Sequence, residues 1–177
     1  MIEGQQQGFT ALELIITMAI VAVLLTMGVP AIQNYSWNLR MKTAMDTLQS
    51  DLKLARGQAI SHNSKTVICP ADGDHNCSGQ GVWQEGWMVF TDINGDRKKQ
   101  ASEPLLKYSG ALARLSINTS SSRTYLLFFP NGTAPGSNAT IRFCDGRGAA
   151  YSGSITVSNS GRIRLQPPGS ELSENCP

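Results

Sequence analysis

The amino-acid sequence predicts an α+β protein, with a long N-terminal helix packed on an antiparallel β-sheet domain. An uncharged apolar run over residues 14–32 is followed by apolar residues at helical spacing from Met41 to Ala59. The rest of the chain consists of short β-prone runs separated by Gly, Asn, Asp and Pro. A chain of 177 residues, 41% of them hydrophobic, has room for one domain and an appendage. This composition excludes a disordered chain, a collagen-like fibre and a polytopic membrane protein.

The first part of the predicted helix is apolar on every side. Residues 14–32 carry no charge, and their number is close to the ~20 residues that cross a bilayer core. A cleaved secretory signal is the alternative, but such signals begin with basic residues and have a shorter apolar run. Residues 1–8 contain no Lys or Arg, and the apolar run continues into a helical pattern. The sequence therefore favours a membrane anchor over a removed signal.

Glu13 is a carboxylate beside this uncharged stretch, where a charge is costly without a partner. Together with Gly8 and Phe9 it resembles the class III signal of type IV pilins and pseudopilins. In that family a prepilin peptidase cuts after the glycine and N-methylates the new first residue, which would be Phe9. A glutamate at the fifth mature position and a proline near the twenty-second correspond to Glu13 and Pro30. The leader departs from the family in carrying Glu3 and no basic residue.

The resemblance implies how this N-terminus works. Glu13 of one subunit would neutralise the ammonium of a neighbour's Phe9 in the filament, which relieves two desolvation penalties together. The alternative for Glu13 is an acid that snorkels to the membrane interface. Pro30 lacks a backbone N–H and is expected to kink the helix. Arg40 and Lys42 follow the apolar run, so a count of positive charges alone would place the C-terminal part in the cytoplasm. The cleavage motif and the cysteines favour the periplasm instead.

Beyond Pro30 the apolar pattern narrows to one helix face that can pack on a core. The face consists of Met41, Met45, Leu48, Leu52, Ala55 and Ala59. Charged residues are assigned to the other faces, namely Arg40, Lys42, Asp46, Asp51 and Lys53. A continuous helix over residues 9–61 would be about 80 Å long.

Eight strands are predicted after this helix. Their ranges are 66–69, 87–91, 105–108, 115–118, 125–129, 139–144, 154–158 and 162–165. Turns are predicted at residues 131–132 and 159–161, where Asn and Gly occur together.

Three further patterns resemble the GspH/FimT branch of minor pilins and pseudopilins. They lie at residues 48–59 on the helix, at 86–92 (Gly-Trp-Met-Val-Phe-Thr-Asp) and at 129–132 (Phe-Pro-Asn-Gly). The resemblance covers residues 8–165 and implies the type IV pilin fold. It implies a leader peptide (1–8), a transmembrane and filament-core helix (9–32), an amphipathic half of the helix (33–61) and a periplasmic β-rich domain (62–177).

This family resemblance also implies location and partners. The chain would be a single-pass protein of the bacterial inner membrane with a periplasmic domain, and would join a pilus at the cell surface after assembly. Its partners would be the prepilin peptidase, the inner membrane, and other pilins and minor pilins.

Four cysteines allow three disulfide pairings. Disulfides persist in the periplasm, and we favour Cys69–Cys77, which closes a small loop, and Cys144–Cys176, which ties down the tail. A metal site is the alternative because His75 lies between the first two cysteines, but its spacing matches no common zinc pattern. The sequence therefore predicts no metal site at these residues.

A second pattern superficially resembles a calcium-binding loop. Asp92, Asn94 and Asp96 alternate, and Glu103 lies eleven residues after the first of them. The sixth position, usually Gly, is Arg97, and two lysines follow it. We interpret this segment as a solvated hairpin loop.

No catalytic constellation is present in the sequence. It contains two histidines and no nucleophile elbow, phosphate loop or zinc-protease motif. Trp83 and Trp87 are interpreted as core or rim residues, and His62 as a residue at the helix end. The sequence therefore predicts a protein that is not an enzyme and has no cofactor.

The C-terminal half is basic although the net charge of the chain is +2. Residues 101–165 contain two acidic and seven basic residues, the latter being Lys107, Arg114, Arg123, Arg142, Arg147, Arg162 and Arg164. On a strand, Arg162 and Arg164 would project to the same side, about 7 Å apart, with Ile163 facing the core.

Gly161, Arg162 and Arg164 resemble the Gly-Arg-x-Arg motif of FimT-type minor pilins, which bind DNA at competence pili during natural transformation. The resemblance implies double-stranded DNA as a partner, with Gly161 forming the turn. Arg142 and Arg147 are added to this site on electrostatic grounds. Two alternatives remain: a structural minor pilin that primes pilus assembly without binding DNA, and a type II secretion pseudopilin.

Overall fold

The computed structural model describes residues 8–169 and Cys176, except for the side chains at positions 27, 28, 30 and 31. Most of the leader and the side chain of Pro30, where a kink is predicted, therefore lie outside the described residues. The chain divides into two compact units, Met1–Leu39 and Arg40–Pro177.

One helix, α1 (Ala11–Ser61), contains residues of both units. It ends where Asn63 adopts a left-handed backbone conformation with a φ of 48°. The backbone N–H of Ser64 then donates to the carbonyl of Ala59 at 3.2 Å, which satisfies an otherwise unpaired helix carbonyl. Among the described residues, no helix is both long enough and apolar enough to cross a membrane.

The eight predicted strands are confirmed, each to within one residue at either end. They are β1 (Lys65–Pro70), β2 (Trp87–Asp92), β3 (Leu105–Ser109), β4 (Leu115–Asn118), β5 (Leu126–Phe128), β6 (Ala139–Asp145), β7 (Gly153–Val157) and β8 (Ile163–Gln166). One turn of 3₁₀-helix, Ala149–Tyr151, lies between β6 and β7.

The strands form two four-stranded antiparallel sheets, an arrangement that the sequence analysis did not foresee. The first sheet has the order β3-β2-β1-β5, and the second has the order β4-β6-β7-β8. Among the described strands, β8 therefore lies at the edge of its sheet and pairs with β7.

The core lies between the second half of α1 and residues of both sheets. All six residues of the predicted apolar helix face are buried there, together with Trp83 and Trp87. A smaller cluster covers another part of the first sheet and includes Val67, Met88 and Phe90. Among the described residues, the main core contains none that precedes Met41, so the unit Arg40–Pro177 contains its own core and is expected to fold alone.

Asp51 lies outside the predicted apolar helix face but is nevertheless buried. Asp51 is 5% exposed, and its Oδ2 accepts hydrogen bonds from the indole N–H of Trp87 at 2.8 Å and from the hydroxyl of Ser109 at 2.9 Å. A buried carboxylate is tolerated here because two hydrogen-bond donors of the protein replace the water molecules that would otherwise solvate it. Nothing in the helical spacing signals these donors, which lie more than thirty residues away in the sequence.

Candidate functional site

The turn before β8 is fixed by a close approach between two segments of backbone. Gly161 has a φ of +76°, and its N–H donates to the carbonyl of Ser158 at 2.8 Å. A Cβ atom on Gly161 would lie 2.0 Å from the carbonyl oxygen of Gly132, closer than any tolerated contact. The predicted turn glycine is thus needed for its conformation and also for the space it leaves empty.

Arg56 of α1 binds Gly132, the second residue of this contact. Its Nε donates to the carbonyl oxygen of Gly132 at 2.9 Å, and the turn containing Gly132 also receives support from Asn159, whose carbonyl accepts from the N–H of Ala134 at 2.8 Å. Three segments identified in the sequence, on the helix, at residues 129–132 and at Gly161, therefore meet at one point. The position of the residue after Gly161 depends on this junction.

Arg162 and Arg164 are both exposed, and Ile163 between them packs partly buried against the main core. This alternation agrees with the sequence prediction. Arg164, on strand β8, lies opposite Thr156 of β7. Within the described part of the chain, neither guanidinium has a hydrogen-bond or ion-pair partner, so both retain their full capacity for an external anion.

Arg142 lies on the same outer face of the second sheet as Arg164. It pairs in register with Ser154 of β7, which in turn lies opposite Gln166 of β8, two residues after Arg164. Strand spacing and rise place the Cα atoms of Arg142 and Arg164 about 12 Å apart. Arg142 is half-buried, so this face adds a third cation beside the exposed pair.

Arg147 does not share this environment. Its Nη2 lies 2.7 Å from Oδ2 of the buried Asp145, and its guanidinium carbon lies 4.2 Å from the centre of the Tyr151 ring. The Arg147 side chain is 11% exposed. Since its charge is neutralised within the protein, we assign Arg147 a structural role and leave it out of the candidate binding surface.

A cleft of about 560 Å³ lies beside Arg162, between the second half of α1 and the turn before β8. Its lining consists of Lys53, Arg56, Gly57, Ile60, Ser160, Arg162 and Ile163. Lys53 and Arg56 are not among the predicted site residues. Their spacing of three residues, which places both on one side of a helix, is the signal that could have identified them.

The N-terminal site residues belong to the other unit. Phe9 is 86% exposed, and every described side chain from Gly8 to Thr26 is exposed as well. The Oγ1 atom of Thr10 accepts a hydrogen bond from the backbone N–H of Glu13 at 3.3 Å. Thr10 and Glu13 thus have the spacing of a capping box, in which the acid also benefits from the positive end of the helix.

Both predicted disulfides are confirmed. Cys69 is bonded to Cys77 and Cys144 to Cys176. The ring of His75 instead contacts the ring of Tyr108, with centroids 4.3 Å apart. Because Cys69 and Cys77 are bonded to each other, neither can bind a metal as a thiolate. The described residues contain no cluster of His, Cys, Asp and Glu suited to a metal ion.

In the segment from Asp92 to Glu103, which resembles a calcium-binding loop, the carboxylates accept hydrogen bonds from backbone N–H groups of the same segment. Oδ1 of Asp92 accepts from the N–H of Gly95 at 2.8 Å, and Oε1 of Glu103 accepts from the N–H of Ile93 at 2.9 Å. The N–H of Lys98 donates to Asp96 at 2.8 Å and lowers the pKa of that carboxyl below its usual value. The loop therefore uses its carboxylates as turn-forming acceptors.

Comparisons with known proteins agree with this architecture. A family model described as type II transport protein GspH matches residues 44–161, more than half of the chain. The crystal structure of the type IV minor pilin FimU of Pseudomonas aeruginosa is 20% identical, with a TM-score of 0.62, over 78% of this chain and 98% of that one. The minor pseudopilin EpsH from the type 2 secretion system of Vibrio cholerae is 13% identical, with a TM-score of 0.54, over 74% of this chain and 99% of that one.

At these identities the two structures establish the fold alone. By its family match, with which its fold agrees, the chain belongs to the GspH/FimT family of type IV minor pilins and pseudopilins.

Proposed function

We propose that this chain is a minor type IV pilin, incorporated into a pilus or located at its tip, that binds double-stranded DNA without sequence preference for uptake in natural transformation. Its role would be binding and assembly, not catalysis. The observation that carries the proposal is the pair Arg162 and Arg164, exposed and without a partner among the described residues, with Arg162 directly before β8 and Arg164 within it. Arg142 extends the same charged face.

The chemistry of the pair suits a phosphate backbone. Guanidinium groups bind phosphate oxygens through paired donors, and contacts to phosphates carry no sequence information. Each phosphate that a protein neutralises contributes about −0.9 to the slope of log affinity against log salt for duplex DNA. Binding through Arg162 and Arg164 should therefore be independent of sequence and strongly dependent on salt.

The test uses the unit Arg40–Pro177, expressed with both disulfides formed, and fluorescence anisotropy with two unrelated duplexes between 50 and 200 mM salt. The wild type is expected to bind both duplexes equally. Combining Arg162→Ala with Arg164→Ala should make the salt slope shallower by about 1.8. Lys107→Ala removes an exposed cation from β3 of the other sheet and is the matched control. Absence of salt-sensitive binding by the wild type would rule out the DNA-binding function.

We also propose the assembly route of the family for this chain. The prepilin peptidase would cut after Gly8 and methylate Phe9, and residues 9–32 would lie in the inner membrane before entering the filament core, with Pro30 kinking the helix. The exposed apolar side chains of this segment need such a cover, because exposed apolar surface of this extent is unfavourable in water. Glu13 would then meet the amino group of a neighbouring Phe9.

The capping geometry supplies a matched pair of variants for Glu13. Glu13→Gln keeps a side chain that suits the third position of a capping box but removes the charge, whereas Glu13→Ala removes both. Mass spectrometry is expected to find both variants cleaved before Phe9, and immunoblots of sheared pili should find neither incorporated. Normal incorporation of Glu13→Gln would refute charge pairing and leave helix capping as the role of Glu13.

A second candidate function follows from the likeness to EpsH and from the family description. The chain would then be a structural subunit that primes a pilus, or a pseudopilin of type II secretion, without binding DNA. In that case the double arginine variant would leave transformation intact, while deletion of the whole chain would lower piliation or secretion.

A further inference from the structure

We propose that the cleft between α1 and the turn before β8 is a second phosphate site, which continues the DNA path from Arg162 onto the helix. This inference rests on the proposed DNA-binding function and adds Lys53 and Arg56 to it. The cleft has a volume of about 560 Å³, within the range of about 300–1,000 Å³ typical of small-ligand sites. It can therefore hold a phosphate together with part of the adjoining sugar.

The charges that line the cleft all have the same sign. Lys53, Arg56 and Arg162 contribute three cations, and none of the lining residues is acidic. Lys53 is exposed, and its ammonium donates one hydrogen bond to Gln49 at 3.1 Å, which leaves two donors for a ligand. Three cations around one concave surface repel one another, and an anion placed among them relieves that repulsion.

Arg56 is fixed in a geometry that suits an anion site. Its Nε is occupied by the carbonyl of Gly132 at 2.9 Å, while its two terminal amino groups have no partner within the described part of the chain. The guanidinium is thus held by one hydrogen bond and presents its other donors. A group oriented before binding loses less conformational entropy when the ligand arrives.

The wall and floor of the cleft leave room for a nucleic-acid backbone. Gly57 has no atom within 4 Å of the position of an added Cβ, so the helix surface is open there. Ser160 contributes a hydroxyl at the turn, where it also contacts the hydroxyl of Ser158 at 2.9 Å. Because Arg162 lines this cleft and also belongs to the proposed DNA-binding pair, one DNA strand can contact both. This continuity favours DNA over an unrelated anion.

The test compares two glutamine variants of exposed lysines on the same helix. Lys53→Gln removes a charge from the cleft, and Lys42→Gln is the matched control outside it. Lys53→Gln is expected to make the salt slope of DNA binding shallower by about 0.9, so that the affinity lost between 50 and 200 mM salt becomes about 3.5-fold smaller than for the wild type. Lys42→Gln should reproduce the wild-type slope. Thermal unfolding of both variants is measured first to confirm that they are folded.

The outcomes separate this inference from the function on which it rests. If the wild type binds DNA and the double arginine variant weakens binding, but Lys53→Gln matches Lys42→Gln, the cleft is not a phosphate site and the proposed function stands. If Lys53→Gln binds DNA normally but enters pili poorly, the cleft receives an acidic side chain of a neighbouring pilin and the inference is overturned. If the wild type does not bind DNA, the proposed function fails and this inference fails with it.

Discussion

Replacing Gly161 with alanine is expected to be the most damaging single methyl addition at this site. The left-handed backbone at φ +76° costs an alanine about 1–2 kcal/mol. The added Cβ would also lie 2.0 Å from the carbonyl oxygen of Gly132, and that carbonyl is held in place by Arg56. Because the contact is with backbone, relief requires movement of a whole turn. We expect a total loss of about 3 kcal/mol or more in the free energy of unfolding.

Gly79→Ala is the control that separates the two contributions. Gly79 has a similar φ of +69°, but no atom lies within 4 Å of its added Cβ, so this variant should lose about 1–2 kcal/mol. Urea unfolding of the unit Arg40–Pro177 measures both losses, and the DNA-binding assay should show weaker binding for Gly161→Ala because Arg162 follows the displaced turn. Equal losses in the two variants would refute the argument that the close approach to Gly132 fixes this site.

Three further outcomes are expected. Asp51→Ala should lower the free energy of unfolding in urea by about 2–4 kcal/mol, because the indole of Trp87 and the hydroxyl of Ser109 lose their acceptor. Asp51→Asn keeps an acceptor oxygen and should lose less. Equal losses in the two variants would contradict this explanation. Arg147→Ala should lose about 3–5 kcal/mol because it leaves the buried carboxylate of Asp145 unpaired, and a large loss of DNA affinity by the folded variant would contradict its structural role. The pKa of Asp96, measured by NMR titration, should lie below the ordinary value because the backbone N–H two residues later donates to the ionised form. Its stabilising effect is therefore present at neutral pH and lost as the pH falls through the folded-state pKa, and a normal or raised pKa would contradict this.

The local elements of this fold could be predicted because each has a local signal. The strand β7 and the turn after it, for example, follow from a β-prone run that ends at Asn159 and Gly161. The pairing of strands could not be predicted in the same way. β5 pairs with β1 across the first sheet, and β4 pairs with β6 in the second, and such partners are selected by packing of the whole domain rather than by neighbouring residues.

The candidate site shows the same division between local and long-range information. Alternation along a strand suffices to predict that Arg162 and Arg164 face outward. The roles of Arg56 and Arg147 depend on partners that periodicity cannot reveal, a carbonyl at position 132 and a ring at position 151. Counting charge therefore identified a basic region but included one arginine whose charge is used internally.

The location of the arginine pair on the margin of its sheet has a consequence for self-association. Among the described strands, β8 pairs with β7 alone, and exposed strand edges promote pairing between identical chains. Two copies of this chain that met edge to edge through β8 would bring four guanidinium groups together without a counter-ion. The residues proposed to hold DNA would thus also oppose aggregation of subunits before their assembly.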